Sequence, residues 1–295
     1  MSSFRITQRL MTQHSLSSMQ SSLNRLSASQ DRLSSGKAIS RPSDDPSGTN
    51  DAMRLRAALA AGDQHVTNAQ DGSSWLDDTD STLSSMLTSL HRVRDLMVQG
   101  ATTGNAGPDS QAAIATELTD IRKALIQEAN TQHLGRPLFG GTTAGSTAYA
   151  ADGTFVGDTN PVTRTIGDGI DVAVNVAGPD AFSTGDDDLF SMIDDAVSAL
   201  GNDPTALSGM LTRADALTDK MTSALSGVGT RTVQVEGALN SLATATLNNK
   251  TSLSNVESVD VAQAIMDVQF QTVSYQAALG ATSKVIQPSL LDFLR

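Results

Sequence analysis

Paired acids, scattered histidines and one Ser-x-x-Lys step are the residues of this chain whose types could do chemistry. Asp44 and Asp45 stand side by side, an arrangement that general acid–base work can use. No histidine and no second acidic pair falls near them in the pattern. Asp45 directly precedes Pro46, so its expected role is to cap the free amides of a helix that proline opens. Asp186-Asp187-Asp188 could meet a cation, but the run lacks the spaced oxygens and glycine of a calcium loop. Three acids ahead of a helix favour its N-terminal dipole instead. His14, His65, His91 and His133 include no i, i+4 histidine pair, so no metal site is expected. Ser34-x-x-Lys37 fits a penicillin-binding nucleophile pattern, without the other motifs of that class. Gly-x-Ser-x-Gly, P-loop and dinucleotide fingerprints are missing. Cysteine is absent, which removes thiol catalysis, Cys-zinc sites and disulfides. Trp75 reads as a packing residue. The expectation is a chain with no catalytic residues, no metal and no cofactor, hence not an enzyme.

The bulk properties narrow the partners. The chain has 295 residues and a formal net charge of −12. Nucleic acid and anionic membranes both need clustered Lys and Arg, so neither is expected as a partner. No apolar run reaches about 18 residues, so no transmembrane helix is expected. Met1-Ser-Ser-Phe-Arg-Ile-Thr-Gln8 lacks the layout of a cleaved signal peptide. Hydrophobic residues make up 39% of the chain but aromatics only 3%, a palette suited to thin helical seams.

Both ends are written as coiled coil. Leu16, Met19, Leu23, Leu26, Gln30 and Leu33 follow at spacings of three and four, with Gln30 as a register-setting polar residue. Val261, Ile265, Val268, Thr272, Tyr275, Leu279, Thr282 and Ile286 do the same, so the two ends are expected to pair. A second, offset line of Val256, Val259, Met266, Phe270, Val273 and Ala277 is more seam than one pairing can bury. The first helix is expected from about Thr7 to Ser34, capped by Gly36. A long second helix carries Leu76, Thr79, Leu83, Met86, Leu90, Val93 and Met97, broken between Gly100 and Pro108. A third is seamed by Ile114, Leu118, Ile121 and Leu125. From Leu138 the period changes. Ile170, Val172, Val174 and Val176 alternate with polar or small residues after a Gly167-Asp-Gly169 turn, a half-buried strand. A short helix spans Leu189–Leu200, and Asp203-Pro204 opens the longest one, with a break expected near Ser254, Glu257 and Ser258. A last helix runs from about Val259 to Ile286, where Pro288 stops it. The expected fold is mainly α: an elongated helical coiled-coil rod made from both chain ends, with a small β-rich insert at its distal end. From the pattern alone, a closed intramolecular bundle and a polymerising subunit remain equal choices.

The segment Arg32-Leu-Ser-Ser-Gly-Lys-Ala-Ile-Ser-Arg-Pro-Ser-Asp-Asp-Pro46 resembles the N-terminal signature of bacterial flagellins and flagellar hook-associated proteins. Its core, Arg41, Pro42, Ser43, Asp44, Asp45 and Pro46, is closer to the hook-associated branch. Asn68–Gly72, Leu90–Gln99 and Arg136-Pro-Leu-Phe-Gly-Gly141 are similar to later helical motifs of the same superfamily. Ser289-Leu-Leu-Asp-Phe-Leu294 looks like the end of the hook–filament junction proteins, although the final Arg295 is reminiscent of filament flagellin. The resemblance covers roughly residues 1–141 and 190–295.

It implies an extracellular structural subunit of the flagellum, exported without a cleaved signal and polymerising through its terminal helices. Implied partners are further copies of the chain, hook-associated protein 1, flagellin and a flagellar export chaperone. Residues 1–35 with 259–295 would form an inner tube, disordered in the monomer; 36–137 with 187–258 the rod; and 138–186 the variable insert. The residues expected at the assembly interface are Leu16, Met19, Leu23, Leu26, Leu33, Ile265, Val268, Tyr275, Leu279, Ile286, Leu290 and Leu291. A filament flagellin is the alternative within the class. A secreted enzyme or adhesin with the insert as its active part is the alternative outside it.

Overall fold

The computed structural model describes residues 2–102, 108–203 and 206–286. Among them are α1 (Ser2–Ser35), α2 (Pro46–Thr102) and α3 (Pro108–Ala129). Two short hairpins follow, β1 (Gln132–His133) with β2 (Arg136–Pro137), and β3 (Thr163–Gly167) with β4 (Ile170–Ala173). The remaining helices are α4 (Gly178–Phe182), α5 (Leu189–Asn202), α6 (Leu207–Glu257) and α7 (Val261–Ile286). The fold is mainly α, as the periodicity predicts. The chain divides into one unit of residues 1–60 with 246–295, and a second of 61–245.

In the second unit the predicted seam of α2 is the core. Leu76, Thr79, Leu83, Met86, Leu90, Val93 and Met97 are all buried. They meet Ile114, Leu118 and Leu125 of α3, Leu189, Ile193 and Leu200 of α5, and Leu207, Leu217, Met221 and Val228 of α6. The insert joins the same cluster. Phe139 packs edge-on to Phe182 at 5.0 Å between centroids, and Tyr149 meets Phe182 and Phe190 edge-to-face and Phe155 at a tilt. Few aromatics are present in the chain, and this part of the core is where they gather.

Polar side chains hold the irregular backbone of the insert. Asn130 accepts N–H groups from Ala148 and Tyr149 at 2.7 and 2.9 Å and donates to the Tyr149 carbonyl. Asn175 likewise accepts from the Val162 amide at 2.8 Å. The β3–β4 hairpin turns at Gly167-Asp-Gly169 as predicted, with Gly169 at φ +70°. Val172, Val174 and Val176 are buried, but Ile170, at the start of β4, is half exposed, so the buried face begins one alternation later than the spacing implies. The strand itself ends at Ala173.

Asp188 plays the capping role expected of the acidic run, accepting N–H bonds from Phe190 and Ser191 at the start of α5. Burial pushes its carboxyl above the usual carboxylate range, against the pull of those donors. Trp75 is buried, 5.2 Å from the His133 ring, with the Arg136 and Arg164 guanidinium groups about its faces. His133 Nδ1 lies 2.7 Å from Asp78, and His65 lies 3.3 Å from Asp168, so each anchors a hairpin to α2. His14 sits 3.5 Å from Ser18, and His91 is exposed on α2. The predicted break at Gly100–Pro108 and the Pro204 helix start fall largely on residues outside those described.

Candidate assembly surface on the terminal helices

In the first unit α1 and α7 pair antiparallel. Leu10, His14 and Ser18 lie by Ala278, Ala281 and Thr282, while Ser29 and Arg32 lie by Gln263 and Ala264. The ends of the chain are partners, as the heptads predict, but their register is rotated. The side chains of α1 turned toward α7 are Ser15, Met19, Ser22, Leu26, Ser29 and Leu33. Those of α7 turned toward α1 include Ala264, Val268, Gln271, Tyr275, Ala278 and Thr282. Met19, Leu26, Leu33, Val268, Tyr275 and Thr282 therefore lie in the seam. Leu16, Leu23, Ile265 and Leu279 do not: they are 48%, 47%, 43% and 49% exposed, and small residues one position earlier take their places. Two interleaved heptads exist on each helix, and the chain buries the one that lets the backbones approach more closely. The spacing of those serines and alanines was a readable signal; apolar weighting alone hides it.

What the pairing leaves outside is large. Besides that leucine–isoleucine edge, the offset line on α7 is exposed at Met266, Phe270, Val273 and Ala277, with Phe270 at 68%. Val256 and Val259 of the same line are half-buried. Ile286 ends the backbone of α7, and Leu290 and Leu291 lie outside the described residues. The deepest positions of the seam are Ser22, Ala264 and Thr282. Burying small side chains gains little, since the gain scales with apolar area. A seam whose deepest positions are small gains less from burial than one with leucines there.

The signature segment serves this unit as a connector. Gly36 takes φ +68° and closes α1, its amide bonded to the Arg32 carbonyl at 3.0 Å. Asp44 Oδ2 accepts the amides of Ser40 and Arg41 at 3.2 and 3.0 Å, folding the loop on itself. Asp45 Oδ1 accepts those of Ser47 and Gly48, both at 3.0 Å, and caps α2 at Pro46. At Gly48 a Cβ would come within 2.6 Å of the Ile39 side chain, so glycine permits this close packing. Both aspartates are thus backbone anchors.

The helix break near Ser254–Ser258 faces this loop. Ala38 donates to the Glu257 carbonyl at 2.7 Å and Val259 to that of Gly36 at 3.0 Å. Arg56 lies 2.6 Å from Glu257 Oε1. The fresh cap is Asp260, which accepts the amides of Ala262 and Gln263, so α7 starts at Val261, two residues later than predicted. Arg56→Ala leaves a largely buried carboxylate without its partner and should destabilise this junction by about 1–3 kcal/mol. Faster amide exchange at Ala38 and Val259, measured by mass spectrometry, checks it.

A family profile of the bacterial flagellin N-terminal helical region matches residues 6–144, and one of the C-terminal helical region matches 211–294. The chain belongs to the flagellin superfamily. Within it, the chain groups with hook-associated protein 3. It is 25% identical to flagellar hook-associated protein 3 of Salmonella typhimurium over 300 residues, covering 93% of this chain and 94% of that one. The Escherichia coli protein of the same name is 27% identical over 246 residues, 78% of this chain and 74% of that one. Flagellins match over less of the chain: that of Bacillus subtilis is 33% identical over 142 residues, 44% of this chain and 46% of the flagellin. The fold is also that of a putative flagellar hook-associated protein from Vibrio parahaemolyticus. The two superpose with a TM-score of 0.67 at 19% identity, covering 73% of this chain and 100% of that one. The relatives are structural proteins of the flagellum, and this chain is one of that class.

Proposed function

We propose that this chain joins the flagellar hook to the filament, as a subunit that associates with its own copies through α1 and α7 into an axial layer. The apolar edge and the offset line left open by the α1–α7 pair carry the reading. A residue such as Leu23 or Phe270 gains about 1.5–3 kcal/mol when fully buried, so neighbouring copies would complete a pair that is weak alone. Residues 1–35 and 259–295 then form the inner tube, 36–137 and 187–258 the rod, and 138–186 the outward insert. Matches that cover 78% and 93% of this chain in two hook-associated proteins, against 44% in a flagellin, support the junction role.

On this reading the subunit works outside the cell, exported without signal cleavage and met by a flagellar export chaperone. Hook-associated protein 1 lies on one side and flagellin on the other, and no catalysis is involved. Deleting the gene should leave an intact hook while flagellin leaks into the medium and swimming stops. A missing hook, or normal swimming, would contradict it. The filament reading draws on the higher identity to flagellins, 36% over 115 residues of the Salmonella typhimurium protein. Long filaments grown from the purified chain alone would favour that alternative.

A further inference from the structure

The β1–β2 turn holds a leucine in a backbone conformation that suits asparagine or glycine. Leu134 takes φ +49° and Gly135 φ +81°, so both residues of the two-residue turn are left-handed. Asn-Gly fits such a turn without strain, whereas a leucine there brings its Cβ against the backbone. Leu134 is also 83% exposed, more than any other large apolar side chain among the described residues. A single exposed leucine is ordinary. One that also strains the backbone is not, because no contact within its own chain offsets either cost. The tip is held firmly. His133, beside it, lies 2.7 Å from Asp78 of α2, and the Leu138 amide donates to the Thr131 carbonyl at 2.9 Å. Leu134 is therefore an apolar knob on a fixed stalk, next to the exposed carboxylates of Asp77 and Asp78.

A pocket of matching character lies in the first unit. It is a cavity of about 410 Å³ between the signature segment and the start of α2, walled by Ile39, Ala52 and Met53 and rimmed by Lys37, Arg41 and Arg56. Met53 is 53% exposed in the single chain. Arg56 is tied to Glu257, while Lys37 and Arg41 are exposed. Resting on the assembly reading above, we infer that Leu134 of one copy seats in this pocket of a neighbouring copy. The occupant is a second copy because every chain carries both halves and the halves match in charge. The apolar knob meets the apolar wall, and the carboxylates beside the tip meet the cations of the rim. The contact uses neither α1 nor α7. One hairpin tip covers far less surface than a stable complex needs, so it does not hold two free copies together. Within an assembly held by other contacts it acts as a pin that sets the register between copies. Knob and pocket are different surfaces, so the contact is heterologous and passes on from copy to copy.

Leu134→Asn removes the knob and suits the turn, so it separates a role in assembly from a role in the fold. In the purified full chain its urea midpoint should hold or rise, while its incorporation into flagella, read by immunoblot after shearing, should fall at least fivefold. A lowered midpoint would place the work of Leu134 inside its own fold and overturn the contact, as would normal incorporation. The second measurement puts a benzophenone amino acid in place of Lys37, which leaves knob and pocket wall intact, in the full chain expressed beside unsubstituted copies. Sheared flagella are irradiated and the adducts mapped. Expected is a dimer of the chain with attachment within residues 132–136. The chain present in flagella with adducts elsewhere on itself, on flagellin or on another protein would overturn this contact alone. The unsubstituted chain missing from flagella would overturn the assembly reading, and this contact with it.

Discussion

Aspartate in place of both Leu23 and Leu279 leaves the chain folded and keeps it out of the flagellum. Each leucine is about half exposed in the single chain, so neither change removes a core contact. Substitutions at such positions usually move stability within about 0.5 kcal/mol. In the proposed assembly both side chains would be covered. Each buried leucine is worth about 1.5–3 kcal/mol, and a buried carboxylate without a partner adds to the loss. Together the two changes should weaken subunit addition by roughly a thousandfold, about 4 kcal/mol, or more. Circular dichroism of the purified variant and immunoblots of sheared flagella measure the two halves of the result. A variant that incorporates normally would remove the leucine–isoleucine edge from the interface.

Phe139→Ala should cost about 3–5 kcal/mol of stability in the second unit, the range for a fully buried phenylalanine. Phe139 is fully buried, edge-on to Phe182 at 5.0 Å, and its carbonyl accepts the Gly178 amide at 2.9 Å. The loss opens a cavity beside Phe182 of α4. Little can collapse into it, because Tyr149 is already pinned by Phe155 and Phe190. Urea unfolding followed by Trp75 fluorescence reads this region directly, since that tryptophan belongs to the same core. A shift below about 1 kcal/mol would mean that the core repacks.

Helix seams that bury against several partners at once were legible in the sequence. The α2 line from Leu76 to Met97 is buried at every predicted position, because apolar neighbours lie on several sides and small rotations change nothing. Caps were also legible: Gly36, Asp45 and Asp188 act through local backbone geometry that sequence alone determines. The terminal seam was half legible. Its period and pairing follow from the spacing, but its rotation depends on which of two interleaved heptads packs closer. Choosing by hydrophobicity picks Leu16 and Leu23, whereas the fold picks Ser15 and Ser22. Contacts between distant segments, such as Arg56 with Glu257 or Asn130 with the Ala148–Tyr149 backbone, leave no periodic trace and could not be read.

On the proposed function, the α1–α7 pair is incomplete in one chain and is finished by other copies. Hydrogen exchange of residues 13–35 and 261–283, in the free chain and in sheared flagella, tests it most directly. In the free chain these amides should exchange roughly a hundredfold or more faster than those of α3, and slow to the α3 level once assembled. Full protection of both helices in the free chain, unchanged on assembly, would contradict it.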